Sequence, residues 1–515
     1  MRRTRKLALA FPLAALLAAT VVQLAPGASA AEPACAAVPV SAPAGAKIES
    51  VLAEAKTGEP AYCAMTVTLS HPGAGDHVKV EVALPLTGWT GRLQAVGGSA
   101  YAAGDFGAPL VQAVKDGYSG VTTDAGVLTE LDTSWALTAP GRVNGPLLTN
   151  FATRSVHEAA LIGKDVTQRF YHRPVTYSYW NGCSTGGRQG YSEAQDYAAD
   201  FDGILADAPA VHWAQFAVAT LWPQTVMNSE HDFPSSCVFT AFRQAAIKAC
   251  DAQDGVTNGV IDRPDECGYD PRGLIGTKVA CEGKEFTVTA EDADVMRKIW
   301  AGPTDERGRK LWDGLPKGAD FSWLAGTGDS PYATGFPVAV HWVQSFVAKQ
   351  ADFDVSKLTY AGFAEVFRQS VREYDDVIGT ADPDLSAFRR AGGKLLTYVG
   401  TDDQLIPPGG TLAYRAEVER TMGGSQRVND FYRLFLAPGV EHCGGGAGAV
   451  PSNPLGALVG WVEHGRAPAT LAAVTTDGKQ TRDLCAYPRT SRYTGHGDPA
   501  VASSYRCRWP AAPVS

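Results

Sequence analysis

The stretch Gly182-Cys183-Ser184-Thr185-Gly186-Gly187 decides the fold class of this chain. It follows the β-rich run Val175–Trp180 and precedes Arg188–Ala194, which has a helical pattern. The Gly-x-Ser-x-Gly core has the spacing of a nucleophile elbow, a strained strand-to-helix turn on which larger Cβ atoms would collide. An ordinary glycine-rich loop would share so short a pattern, so the rest of the chain must decide between the two interpretations.

Two later segments supply partners in the order nucleophile, acid, histidine that an α/β-hydrolase needs. The apolar strand Lys394–Gly400 runs into Asp402 and Asp403, and the loop after a further apolar strand carries His442. His442 would accept the Ser184 proton during attack on an ester carbonyl, while a buried carboxylate fixes its tautomer. Adjacent loop residues point in different directions, so both aspartates remain open, and the pair alone would also suit a polar turn.

The N-terminus has the pattern of a secretory signal peptide. A basic cluster precedes the mostly apolar run Leu7–Leu24 and the small-residue site Ala28-Ser29-Ala30, which predicts cleavage after Ala30. Pro12, Pro26 and the cleavage site argue against a membrane anchor. Removing 30 of 515 residues leaves 485, and losing four basic residues takes the formal charge from -9 to -13. We therefore expect an exported protein without a nucleic-acid or membrane partner.

The ten cysteines favour disulfides, which are the default for cysteine in an oxidising compartment. Cys183 immediately precedes Ser184, and Cys443 immediately follows His442. If these two cysteines pair, the bond closes 260 residues, for which chain entropy gives about 5 kcal/mol before strain is subtracted. It would also hold the serine and histidine loops together. Counting cysteines does not exclude other pairings.

A further constellation lies between Cys250 and Asp262 and is closed by Cys267. Acidic and amide oxygens recur there at spacings of three or four, with glycines that permit tight turns, which suits a hard cation such as calcium. The segment is not an EF-hand, because the helix-loop-helix setting and the terminal glutamate are missing. One interpretation is a structural calcium loop stapled by Cys250 and Cys267, and the other is a set of Asp-Gly and Asn-Gly turns without an ion.

Together these motifs resemble the secreted tannase and feruloyl esterase family, which also includes a bacterial hydrolase of a terephthalate monoester. The paired Cys-Ser and His-Cys dipeptides are more specific than the elbow itself. The matching pieces extend over most of the mature chain: residues 182–187, Asp-Phe-Asp-Gly-Ile at 200–204, Cys-Asp-x-x-Asp-Gly at 250–255, Asp403–Gly410, and His442-Cys443.

The resemblance implies an α/β-hydrolase fold in which Ser184 is the nucleophile and His442 the base. Asp403 rather than Asp402 would be the acid, because it aligns with the family's aspartate before Leu-Ile-Pro. The oxyanion hole would use the amide of Thr185 and an amide from the segment 96–99, for which we choose Gly98. Departures from the family at 96 and at 401–402 affect substrate contacts more than chemistry. The resemblance also implies that Cys183 pairs with Cys443.

The same resemblance implies a calcium site. Its ligands would be the side chains of Asp251, Asp254 and Asn258 and the backbone carbonyls of Val256 and Val260. The family usually has aspartate where this chain has Asn258, so the site loses one negative charge and is expected to bind calcium more weakly.

The chain length predicts more than one compact unit. We expect a catalytic domain from residues 31–209 and 390–515, and a lid over 210–389 that contains the calcium loop and helices near 239–249 and 291–300. The remaining expected bridges are Cys35–Cys63, Cys237–Cys281 and Cys485–Cys507. Lid aromatics could line a pocket for a planar acyl group, although most should be lid core: Trp213, Phe216, Trp222, Trp323, Phe336 and Trp342.

The expected function is an exported serine esterase that acts on esters of aromatic acids, chiefly hydroxycinnamates such as ferulate attached to plant polysaccharide. Gallate esters or a terephthalate monoester are alternative substrates. From other classes, a serine peptidase would use the same triad. A noncatalytic binding protein on a hydrolase scaffold would be expected to have lost triad residues, whereas Ser184, Asp403 and His442 are all present.

Overall fold

A nine-stranded sheet forms the centre of the protein, with strand order β1-β2-β3-β5-β4-β8-β9-β12-β13. The computed structural model describes residues 34–127, 130–281, 283–320, 324 and 335–509; the predicted signal peptide, Trp323 and the Pro-Ala-Ala-Pro tail at 510–513 lie outside them. The strands of this sheet are β1 Lys47–Lys56, β2 Tyr62–Ser70, β3 Val78–Pro85, β4 Arg92–Val96, β5 Tyr118–Thr123, β8 Tyr177–Cys183, β9 Gly203–Asp207, β12 Lys394–Gly400 and β13 Tyr432–Ala437.

The sheet is antiparallel at one edge and parallel from β5 to β13. The pairs β1–β2, β2–β3 and β3–β5 are antiparallel, and the five following pairs are parallel. All residues of β9 and all but the first of β12 are buried, which explains why these strands are continuous apolar runs in the sequence. The parallel strands with intervening helices give the α/β-hydrolase fold.

The helices connect and cover these strands. They are α1 Ala108–Lys115, α2 Gly145–Thr149, α3 Ser155–Tyr171, α4 Thr185–Asp196, α5 Trp213–Ala219, α6 Trp222–Glu230, α7 Ser236–Cys250, α8 Ala290–Ala301, α9 Pro337–His341, α10 Tyr360–Ile378, α11 Ser386–Ala391, α12 Gly409–Met422, α13 Ser425–Val428 and α14 Pro454–His464. The helices predicted near 239–249 and 291–300 correspond to α7 and α8. Among the described residues, no helix is long and apolar enough to cross a membrane.

Four smaller sheets also occur in the described part of the chain. Their strands are β6 Leu137–Ala139, β7 Arg142–Val143, β10 Lys278–Cys281, β11 Lys284–Thr287, β14 Val450–Pro451, β15 Thr470–Val474, β16 Thr481–Cys485, β17 Thr490–Tyr493 and β18 Tyr505–Arg508. Within the described parts of residues 208–393, no strand joins the main sheet. The domain boundaries at 209 and 390 stay predictions.

Most of the aromatic side chains predicted for the lid form a core. Trp213, Phe216, Trp222 and Trp342 are buried in one hydrophobic cluster, and Phe336 packs against it partly buried. The same cluster includes Tyr101 and Phe151, among other residues that precede the elbow. The lid segment therefore shares its core with the first part of the chain.

Candidate active site

Ser184 lies on a sharp turn between a strand and a helix. β8 ends at Cys183, α4 begins at Thr185, and Ser184 has φ 63° and ψ -123°. A Cβ on Gly182 would lie 2.6 Å from the Gly186 carbonyl, and one on Gly187 would lie 2.4 Å from the Asp207 oxygen. Only residues without a Cβ fit at these points, so the segment has the geometry of a nucleophile elbow and not of an ordinary loop.

Asp403 is the aspartate that contacts His442. Its carboxylate oxygens lie 2.9 and 3.1 Å from His442 Nδ1. One of these oxygens also accepts the amides of Leu405 and Ile406, at 2.9 and 2.8 Å, and the side chain is fully buried. Asp402 is the other aspartate that the residues alone allow as the partner of His442. Its amide donates to the Val440 carbonyl. The pair that can hold one histidine tautomer is therefore Asp403 with His442.

Sequence reasoning missed the side chains that hold these loops. Gln404 Oε1 accepts the amide of His442 at 3.1 Å, and the Tyr398 hydroxyl donates to the carbonyl of Cys443 at 3.1 Å. Gln404 directly follows Asp403 in the chain, and this position could have indicated a role in holding the loop. Tyr398 lies inside an apolar strand and carries no such signal.

The Cys183–Cys443 disulfide joins the elbow to the histidine loop. The two Cα atoms are 5.9 Å apart across 260 residues of sequence. Ser184 and His442 each adjoin a bridged residue, so their loops are held side by side. The other four expected pairings are also present: Cys35–Cys63, Cys237–Cys281, Cys250–Cys267 and Cys485–Cys507.

The predicted oxyanion donors lie on two neighbouring segments. Thr185 is the first residue of α4, and its hydroxyl donates to the Ala100 carbonyl at 2.7 Å. The amide of Gly98 donates to Gln189 Oε1 at 3.0 Å, while the Gly98 carbonyl accepts the amide of Gly186. The role of Gly98 as an oxyanion donor therefore stays a prediction. It requires the Gly98 amide to give up its hydrogen bond to Gln189 and donate to the substrate oxygen instead.

Three buried carboxyl groups lie around the elbow and the loop that contains Asp402 and Asp403. Burial raises the pKa of Asp402 to about 7, although the charge of Arg243 lowers it. Burial likewise raises the pKa of Asp207 and Glu193 well above the ordinary range. The Asp207 carbonyl accepts the amide of Ser184 at 3.1 Å, so one of these residues supports the elbow directly.

The loop after Cys250 is held by its own acidic side chains. Asp251 accepts the amides of Asn258 and Gly259 at 3.0 and 2.9 Å, and Asp254 Oδ1 accepts the amide of Val256 at 2.9 Å. Asn258 Oδ1 accepts the amide of Val260 at 3.2 Å. These bonds fix the turns that the sequence predicts.

One carboxylate oxygen of this loop is buried and has only a long ion pair to offset its charge. Asp254 Oδ2 has no hydrogen bond, and burial with the neighbouring charge of Asp262 raises the Asp254 pKa to about 6. Arg482 contacts Asp262 at 2.8 Å and lies 3.9 Å from Asp254. In the described part of the chain, no three His, Cys, Asp or Glu side chains converge on a metal position. The expected site has only two such side chains, completed by an amide and two carbonyls, and the orphaned oxygen fits it.

Comparisons with known proteins identify the family of this chain. The family model described as tannase and feruloyl esterase matches residues 63–508. A protein named probable feruloyl esterase from Arthroderma benhamiae is 48% identical over 86% of this chain and 85% of its own length. Feruloyl esterase B from Aspergillus niger is 30% identical over 90% of this chain and 89% of its own.

A solved structure supports the same assignment. Tannin acyl hydrolase from Aspergillus niger superposes with a TM-score of 0.82 at 27% identity, covering 90% of this chain and 92% of the other. The family model, the relatives and the shared fold extend over both the elbow and the Asp403–His442 loops. This chain therefore belongs to the tannase and feruloyl esterase family.

Proposed function

We propose that this carboxylic ester hydrolase cleaves esters of aromatic acids, hydroxycinnamoyl esters above all, through an acyl-enzyme on Ser184. The observation that carries the proposal is the Asp403–His442 contact at 2.9 Å on a loop bridged by disulfide to the elbow. The 48% identity to a probable feruloyl esterase supports hydroxycinnamoyl esters as the substrate class.

The chemistry follows from the roles of the three side chains. His442 takes the Ser184 proton as the hydroxyl oxygen attacks the ester carbonyl, and returns that proton to the departing alcohol. Asp403 holds Nδ1–H towards itself, so Nε2 is the free base, and its charge stabilises the imidazolium. Amides at Thr185 and on the 96–99 loop would donate to the oxyanion. Water activated by His442 then releases the aromatic acid.

The experiment is hydrolysis of methyl ferulate, methyl gallate, a terephthalate monoester and a short aliphatic ester, with Ser184→Ala as the control. We expect methyl ferulate to be turned over fastest, and Ser184→Ala to lower kcat by about 10⁴-fold or more. Hydrolysis that survives in Ser184→Ala would refute the serine mechanism. Inactivity on the esters together with cleavage of a peptide substrate assayed in parallel would indicate a peptidase, and inactivity on all of these substrates a binding protein.

Gallate esters are the second candidate. The similarity of fold to a tannin acyl hydrolase, with a TM-score of 0.82, favours them. Faster turnover of methyl gallate than of methyl ferulate in the same assay would select this candidate.

Export is part of the proposal. Five disulfides are typical of proteins that fold in an oxidising compartment, and the N-terminal pattern supplies a route there. N-terminal sequencing of the protein recovered from culture medium should begin at Ala31. A mature protein that retains residues 1–30 would contradict cleavage.

We further propose that calcium binds the loop through Asp251, Asp254, Asn258 and the carbonyls of Val256 and Val260. The ion would stabilise the loop and supply no step of the reaction. A ligand that binds only the folded state raises its unfolding temperature. EGTA should lower Tm by a few degrees, and calcium but not magnesium should restore it.

Two variants make the calcium test specific. Asn258→Asp should lower the calcium concentration that half-restores Tm, because it adds a carboxylate, and Asp254→Asn should raise it. A Tm that neither EGTA nor calcium moves in any of the three proteins would contradict the site.

A further inference from the structure

Each of the two triad loops has a second carboxylate immediately before its functional residue. Asp402 precedes Asp403, and Glu441 precedes His442. A cation from the lid segment acts on both carboxylates: Arg243, on α7, lies with Nη2 3.5 Å from Glu441 Oε1, and its charge lowers the pKa of Asp402. The arginine is mostly buried, with its side chain 20% exposed, so solvent screens these contacts only in part.

The same guanidinium also holds a loop of the lid segment. Arg243 Nε donates to the Gly318 carbonyl at 2.6 Å, and Nη1 lies 3.5 Å from Asp320 Oδ2. Gly318 packs directly on Asp402, since a Cβ there would lie 2.4 Å from Asp402 Oδ2. Asp402 is only 4% exposed, and its Oδ1 is buried without a hydrogen-bond partner. Arg243 and Gly318 therefore close the lid segment over the acid loop.

We propose that Arg243 is a positioning residue for the Asp403–His442 pair, which it holds by joining the lid segment to both triad loops and by offsetting the charges of Asp402 and Glu441. This rests on the proposed esterase mechanism, because His442 must act as its base. Arg243 acts on the pair through the residues next to it in the chain.

The role of Arg243 should be visible in the pH dependence of the activity, because Arg243 affects the charges near His442. The charged groups around the pair are Asp403, Asp402 and Glu441 on its own loops, Arg243 on α7 and Asp320 on the lid loop, with Asp262 acting on Asp402 from further away. Without Arg243 the Glu441 carboxylate loses its partner and favours the imidazolium form of His442, while Asp402, whose pKa Arg243 lowers, becomes harder to ionise. The pH at which the base becomes active would then rise, because a nearby negative charge raises the pKa of histidine.

The test compares Arg243→Met and Arg243→Lys with the wild type. We expect Arg243→Met to lower kcat by about 10- to 100-fold with a smaller change in KM, because the catalytic geometry loosens. The acid limb of kcat/KM should move up by about half a pH unit. Arg243→Lys should return the limb to the wild-type position, since it restores the charge, and recover only part of kcat.

The matched control is Lys248→Met, which removes a cation from an exposed position of the same helix. It should leave kcat and the pH limb as in the wild type. Glu441→Gln should move the acid limb in the opposite direction, to lower pH, and remains informative if Arg243→Met does not fold.

Three results would overturn the inference. One is an Arg243→Met variant that behaves like Lys248→Met. Another is a variant whose kcat and Tm fall while its pH limb stays in place, which indicates a purely structural role. The last is an unshifted limb in Glu441→Gln. If the wild type cleaves none of the esters, the rate at which a fluorophosphonate labels Ser184 can be followed against pH instead. That rate depends on the same histidine, so failure of the substrate proposal can be distinguished from failure of this inference.

Discussion

Asp403 accepts hydrogen bonds from two backbone amides as well as from His442. The amides fix the carboxylate before any imidazolium forms, so no reorganisation is needed when the histidine becomes charged. Its neighbour Asp402 has a different environment, packed under Gly318 with an unpaired oxygen. The two adjacent aspartates therefore lie in different environments.

Replacing Asp403 with asparagine should lower kcat by about 10⁴-fold, because an amide favours the wrong histidine tautomer. The measurement is steady-state hydrolysis of the preferred aryl ester. Asp402→Asn is the matched comparison and should cost tenfold or less. Equal losses in the two variants would contradict the assignment of Asp403 as the acid.

The sequence predicts the elbow and the histidine at this scale but leaves the two aspartates to the family resemblance. Their directions depend on the amides of Leu405 and Ile406, which become donors only once the loop has folded. The capture of the Gly98 amide by Gln189 is equally invisible, because it joins residues 91 positions apart. Contacts between side chain and distant backbone leave no local pattern.

At the scale of elements, strand β12 leads into the loop of Asp403 and also contributes the hydroxyl of Tyr398. Tyr398, within β12, donates to the Cys443 carbonyl and so connects the strand to the loop of His442. Cys443 itself has φ 59°, an uncommon conformation for a residue with a Cβ. The strand thereby helps to hold a loop that is unfavourable on its own.

Tyr398→Phe should lower kcat about fivefold and leave KM unchanged, since one hydrogen bond is worth about 1 kcal/mol. The control is Tyr171→Phe, which removes a similar tyrosine–carbonyl bond, to Pro85 at 2.6 Å. That variant should retain the wild-type kcat. Equal kcat values for the two variants would show that the Tyr398 bond does not position the base.

A helix or strand can be predicted from the sequence where its burial produces a clear pattern of apolar residues. The strand expected at 394–400 is present with the same bounds, because a strand buried on both faces is a continuous apolar run. The strand expected at 175–180 instead spans Tyr177–Cys183. Its polar and small last residues pair with Leu205, Ala206 and Asp207 of β9, a contact that the local sequence does not encode.

At the scale of the molecule, buried carboxyl groups link stability to pH. Asp402, Asp207 and Glu193 all have raised pKa values in the folded state. Unfolded carboxyls ionise near pH 4, so between that value and the folded pKa the folded protein binds more protons. The contribution of these groups to the free energy of unfolding must then fall as the pH rises through this window, which extends to about 7 for Asp402.

Glu193→Gln should flatten this loss of stability, because the amide cannot ionise. The measurement is the unfolding free energy of wild type and variant at pH 5 and pH 9. A tenfold difference between the acid dissociation constants of one group in the folded and unfolded states is worth about 1.4 kcal/mol. Glu365→Gln, at an exposed position of α10, should leave the slope unchanged. A Glu193→Gln slope equal to that of the wild type would contradict the linkage.

The way the lid segment joins the rest was not predictable. Most of its aromatic residues lie in a core, and that core also includes Tyr101 and Phe151 from before the elbow. Arg243 likewise joins α7 to a residue 198 positions away. Periodicity assigns burial to residues one element at a time, and it does not say which elements bury each other.

The Cys183–Cys443 bond imposes an order in time on the making of this molecule. The elbow cysteine leaves the ribosome 260 residues before its partner, and the thiols of Cys237, Cys250, Cys267 and Cys281 emerge in between. Domains generally fold from the N-terminus as synthesis proceeds. Cys183 therefore cannot form its native bond until the whole lid segment and Cys443 have been synthesised, so the elbow and the histidine loop are joined only late in the making of the chain.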